Sequence, residues 1–73
     1  MTYNWTDGTT CSVLRDGDAV AEVYRLDKPG DLWTFHAECG PDVGVGVGTY
    51  QGRDAAKAAA ERAIRKMRGE EDE

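Results

Sequence analysis

The chain has 73 residues, with hydrophobic residues at 40%, charged residues at 32% and a formal net charge of −5. That length gives one domain burying only about 60–65% of its unfolded surface, which leaves no room for a second layer of chemistry behind a large core. The composition is that of a folded rather than a disordered chain, and no apolar run approaches the roughly 20 residues of a membrane span.

Met1 to Trp5 show no basic segment followed by an apolar stretch, so no secretory leader is expected and the expected location is the cytoplasm. Cys11 and Cys39 are too few for a disulfide scaffold and too far apart for a zinc knuckle, so they read as free thiols. Cys11-Ser12-Val13-Leu14 and the run Ala19 to Tyr24 flank Asp16-Gly17, a two-residue hairpin signal. Lys28-Pro29-Gly30 is a second turn, since proline fixes φ and glycine accepts the left-handed position. Leu32-Trp33-Thr34-Phe35-His36-Ala37-Glu38 then supplies strand formers, and Gly40-Pro41-Asp42 ends them. Residues 43–48 alternate valine and glycine, which fits either a short fourth strand or an extended loop.

From Arg53 to about Arg68 the pattern is helical. Six alanines favour the helix, and Ala56, Ala60, Ala63 and Met67 form an apolar stripe flanked by Ala59 and Ile64. Lys57–Glu61 and Glu61–Arg65 are i,i+4 pairs on the opposite side. Arg65, Lys66 and Arg68 suit the negative end of the helix dipole, and Gly69 is placed to end it. Residues 1–69 are thus expected as one α+β domain: a three-stranded antiparallel meander, four-stranded if 43–48 pair, with one C-terminal helix on one face. Residues 70–73, all acidic, are expected as a disordered tail.

Placing Asp16-Gly17 at the centre of the first turn pairs Arg15 with Asp18 and Ser12 with Ala21. Facing Asp27 with Asp31 pairs Val23 with Phe35 and Arg25 with Trp33. Leu14, Ala21, Val23, Trp33, Phe35 and Ala37 then share the helix-covered face. The other face carries Cys11, Val13, Val20, Glu22, Tyr24, Leu26, Leu32, Thr34, His36 and Glu38. One helix covers one face only, so this second face is an exposed apolar patch rimmed by carboxylates, the signature of an interface.

The charges are sorted along the chain. Residues 1–52 carry eight acids and three bases, residues 53–68 six bases and two acids, and the last five residues four acids and no base. Such sorting speaks to partners rather than to fold. The run Gly44 to Gly48 has glycine at every second position, but it lacks both G-x-G-x-x-G and a following Gly-Lys-Ser/Thr, so no phosphate loop is expected. Cys11, Glu22 and His36 fall in one predicted cross-strand row near Glu38. An open sheet of this size offers no cleft for catalysis, so no enzyme, metal site or cofactor is expected.

The order strand-strand-strand-helix, closing with Arg53-Asp54-Ala55-Ala56-Lys57 and Ala60, resembles the second half of a double-stranded-RNA-binding domain. Arg53 stands for the first lysine of that family's basic opening, Asp54 replaces the second, and Glu61 replaces an alanine. This resemblance implies duplex-RNA contact through Arg53 and Lys57, and the basic helix by its charge alone adds Arg62, Arg65 and Arg68 as phosphate contacts in that alternative. In size, acidity and a Trp33-centred sheet before an alanine-rich helix, the chain is also similar to small phage and prophage accessory proteins of the anti-CRISPR type. That resemblance implies a non-enzymatic inhibitor occupying a nucleic-acid-binding surface of a host protein complex.

The leading expectation is therefore a protein-binding module whose partner contacts are Asp16, Asp18, Glu22, Asp27, Asp31 and Glu38, with Tyr24 and Leu26 as apolar anchors. The alternatives are the RNA-binding helix and a structural homodimer through the exposed sheet face. A monomer or weak homodimer without membrane contact is expected.

Overall fold

The computed structural model describes residues 3–45 and 49–69, with backbone alone at 42–45. Among these, six strands precede one helix: β1 (Trp5–Asp7), β2 (Cys11–Asp16), β3 (Ala19–Arg25), β4 (Leu32–Cys39), β5 (Asp42–Val45), β6 (Tyr50–Gln51) and α1 (Arg53–Met67). The strands form one antiparallel sheet in the order β1-β2-β3-β4-β5, and β6 joins β4 on the edge that β5 also uses. The helix packs on one face against β3 and β4. The α+β class read from the sequence holds, with a wider sheet. The predicted tail, 70–73, and the second half of the valine–glycine run, 46–48, lie outside the described residues. The first half of that run lies in β5, with Val43 opposite Glu38 and Val45 opposite His36.

β1 has no counterpart among the predicted elements. Gly8 turns the chain tightly, its N–H donating to the carbonyl of Cys11 at 2.7 Å. Trp5 then pairs with Leu14 and Asp7 with Ser12. Tyr3, only 8% exposed, joins the core, and Trp5 packs beside it.

The β3–β4 register is the predicted one, with Val23 opposite Phe35 and Arg25 opposite Trp33. The β2–β3 register is not. Asp16 pairs with Ala19 and Ser12 with Val23, so Gly17-Asp18 forms the centre of the turn rather than Asp16-Gly17. Gly17 has φ 64°, while Asp18 stays in the negative region. A turn with positive φ at its first central residue alone needs glycine there and tolerates aspartate second. This moves the partner by two residues, an even slip that leaves every side chain on its predicted face. Leu14, Ala21, Val23, Trp33, Phe35 and Ala37 are all buried as predicted.

Cys39 and Ala19 extend the sheet side of the core, and Ala56, Ala60 and Ile64 close it from α1. Ile64, predicted at the flank of the stripe, sits at its centre and is fully buried; Ala59, Ala63 and Met67 are half-buried around it. Methyl side chains at 56 and 60 let the helix lie close to the sheet while Ile64 fills the remaining space. The helix starts at Gly52 without a side-chain cap and ends where Gly69 takes φ 76°, the left-handed position that stops a helix.

Candidate protein interface

The helix and sheet are joined by charge as well as by packing. Lys57 Nζ lies 2.6 Å from Asp7 Oδ1, which also accepts from the Ser12 hydroxyl at 2.8 Å. Ser12 is fully buried, and Asp7 is what satisfies it. The hydrogen bond from Lys57, and after it that from Ser12, hold the Asp7 carboxyl below the usual aspartate range. Arg53 donates to the Thr9 carbonyl at 2.7 Å and lies over the Trp33 ring at 4.6 Å. Lys57 lies over Trp5 at 5.5 Å, and the Trp5 indole N–H donates to Glu61 at 2.7 Å. At the other end of α1, Arg68 reaches the Asp16 carboxylate at 2.9 Å, its carbonyl at 2.7 Å and Asp18 at 3.6 Å.

These contacts sort the two sets of residues read from the sequence. Of the basic set, Arg53, Lys57 and Arg68 are turned onto the sheet. Arg62 is exposed and, with Lys66, rims a groove of about 560 Å³ floored by Tyr50, Ala58, Ala59 and Ala63; Arg65 is half-buried. The predicted i,i+4 partnership of Lys57 with Glu61 gives way to sheet partners for both, Asp7 and Trp5. Contacts between side chains 50 and more residues apart leave no local trace in the sequence.

The acidic set does not gather on one surface. Asp16 and Asp18 sit at the β2–β3 turn against Arg68. Asp31 lies beyond the opposite end of β3, at φ 51°, accepting from the Trp33 indole at 2.9 Å with Arg25 at 3.8 Å. Asp27 is exposed in the loop between them, next to half-buried Leu26. Glu22, Tyr24 and Glu38 share the face that α1 does not cover, in three successive cross-strand rows.

That face is built in cross-strand rows. Thr6, Val13, Glu22 and His36 form one row. Cys11, Tyr24 and Thr34 form the row on one side, and Arg15, Val20 and Glu38 the row on the other. The predicted row of Cys11, Glu22 and His36 is therefore corrected: the two-residue shift puts Val13 opposite Glu22 and moves Cys11 opposite Tyr24. His36 Nε2 lies 3.0 Å from Glu38 Oε2. Among the described residues no group of three or more His, Cys, Asp and Glu side chains is arranged to hold a metal ion. Tyr24, 43% exposed, is the large hydrophobic residue that the described structure leaves most open. Val13, Leu32 and Thr34 around it are half-buried, as is Val20 further along the same face. One depression on this face, about 410 Å³, lies between Asn4, Thr6, Val13 and Arg15.

No helix among the described residues is long and apolar enough to cross a membrane. No protein-family model matches this chain, and neither a curated protein nor a solved structure matches it.

Proposed function

We propose that this chain is a non-enzymatic protein-binding module that meets its partner with the uncovered face of its sheet. One observation carries the reading: α1 covers one face only, and the other presents exposed Tyr24 among half-buried residues, with Glu22 in the next cross-strand row and Glu38 in the row beyond. An aromatic anchor within an apolar patch and a polar rim is how protein interfaces are built. The net charge of −5 steers such a surface toward basic partners at long range. The narrower reading is a phage-type inhibitor of the anti-CRISPR kind, occluding a basic nucleic-acid-binding surface of a host complex. It rests on size, acidity and architecture.

The test is capture by the tagged full chain from bacterial lysate, with and without nuclease, read by mass spectrometry. A basic nucleic-acid-handling protein should be retained after nuclease. The same protein should be lost from Tyr24→Ala and Glu22→Lys but kept by Arg62→Ala. Capture that vanishes with nuclease, or that survives Tyr24→Ala unchanged, overturns the proposal. A solution mass of two chains that Tyr24→Ala halves would instead make the face a homodimer contact.

A further inference from the structure

This inference rests on the uncovered face being the binding surface and adds the chemistry of what lies on it. Most carboxylates of the described structure already have work inside the molecule. Asp7 holds Ser12 and Lys57, Asp16 and Asp18 hold Arg68, Asp31 holds Trp33 and Arg25, and Glu61 holds Trp5. Glu22 has no ion pair or side-chain hydrogen bond among the described residues, and the neighbour of Glu38 is the imidazole of His36 rather than a fixed cation. Both glutamates stand on the uncovered face.

Their positions form a ladder. Glu38 is opposite Val20, Glu22 is opposite His36, and Tyr24 is opposite Thr34, in three successive same-face rows of β3 and β4. Such rows are about 7 Å apart, twice the rise per residue of a strand. An extended peptide repeats its own same-face side chains at that interval. A helix does not keep step: its i,i+4 positions advance about 6 Å and rotate by about 40° each time. A second copy of this chain does not supply the complement either. None of its described strands carries cations at i and i+2, and the uncovered face itself offers one arginine, Arg15, against two glutamates.

We infer that the uncovered face takes an extended basic segment of a partner protein, laid along β3 and β4. Its cations at i and i+2 meet Glu38 and Glu22, and its residue at i+4, aromatic or a third cation, meets Tyr24. Arginine suits the first two positions, since its planar fork matches a carboxylate, and either occupant of the third stacks on the tyrosine ring.

The probe is a blocked peptide Thr-Arg-Thr-Arg-Thr-Tyr-Thr, titrated into the full chain and followed by amide NMR shifts. Its control is the same composition with the two arginines adjacent. The expected result is a shift pattern centred on Glu22, Tyr24, Thr34, His36 and Glu38. Binding should be weakened about tenfold by Glu22→Gln with Glu38→Gln, and by raised salt, with the control peptide weaker than the probe. Those two glutamates are exposed, so the amide variant is expected to fold, which its unperturbed core resonances would verify. Equal binding of both peptides, shifts centred elsewhere, or affinity indifferent to the two glutamines overturns the inference. If the peptide fails while Tyr24→Ala still abolishes partner capture, the interface stands and this account of its partner falls.

Discussion

Arg68 donates to the carboxylate of Asp16 at 2.9 Å and to the carbonyl of the same residue at 2.7 Å, pinning the end of α1 to the β2–β3 turn. The Asp16 carboxylate, and after it the Cys39 side chain, push the guanidinium pKa up, so Arg68 keeps its charge throughout. Arg68→Ala is expected to lower the urea midpoint and to speed amide exchange first in the last turn of the helix. Arg68→Lys should recover only part of the loss, because an ammonium lacks the fork that serves a carboxylate and a carbonyl together. A midpoint unchanged in Arg68→Ala would show that the clasp adds nothing to packing.

Asp7 gives the chain an acid-sensitive hold on its helix. Its folded pKa lies below its unfolded value, first through Lys57 and then through Ser12. Stability from a depressed carboxylate is fully present above the unfolded pKa, about 3.9, and is lost as pH falls through the folded value. The stability difference between the native chain and Asp7→Asn should therefore be flat from neutral pH down to about pH 5 and close below about pH 4. Denaturation monitored at a series of pH values measures this directly. A difference that widens with acid would reverse the sign and contradict the pairing.

Much of this fold was legible because its signals are local. Strand formers in 32–38, turn residues at 16–17 and 28–30 that bound the run 19–24, and an alanine-rich stretch closed by Gly69 specify strands, hairpins and helix. The six predicted sheet residues of the core are buried because an even register slip cannot move a side chain across the sheet. The missed parts have the opposite character. β1 is three residues long, too short for periodicity, although Tyr3 and Trp5 alternate ahead of the Asp7-Gly8 turn signal. The clasps Asp7–Lys57, Trp5–Glu61 and Asp16–Arg68 join positions 50, 56 and 52 residues apart. Charge sorting showed that an acidic block and a basic block exist. It did not show that each spends much of its charge on the other, which leaves Glu22 and Glu38 among the carboxylates that face outward, on the same face as Tyr24.

Gly17 tests the turn that set the register. Its φ of 64° lies where a side chain is strained, although a Cβ there would meet only Arg68 Nη2, at 3.9 Å. Gly17→Ala should therefore destabilise by about 1–2 kcal/mol through backbone conformation alone. Gly17→Asn should cost less, since asparagine tolerates the left-handed region. D-alanine, introduced by synthesis, should cost nothing or stabilise. Equal losses for the two alanine enantiomers would place the penalty in packing instead.

Trp5 tests whether β1 is part of the stable structure or an appendage to it. Its ring packs against the core, its N–H reaches Glu61, and Lys57 lies over its face. Trp5→Phe keeps most of the ring but leaves the Glu61 carboxylate without that donor. A hydrogen bond to a charged group contributes about 1.5–3 kcal/mol, and for a domain of this size each kcal/mol shifts Tm by roughly 4–8 °C. A drop of about 6 °C or more is expected. Glu61→Gln should lose less, because its amide oxygen still accepts from the indole. Combining Trp5→Phe with Glu61→Gln should then fall short of the sum of the single losses, since both remove one interaction. Additive losses would mean that the two residues act separately, and a Tm unmoved by Trp5→Phe would mean that β1 lies on the sheet without securing the helix.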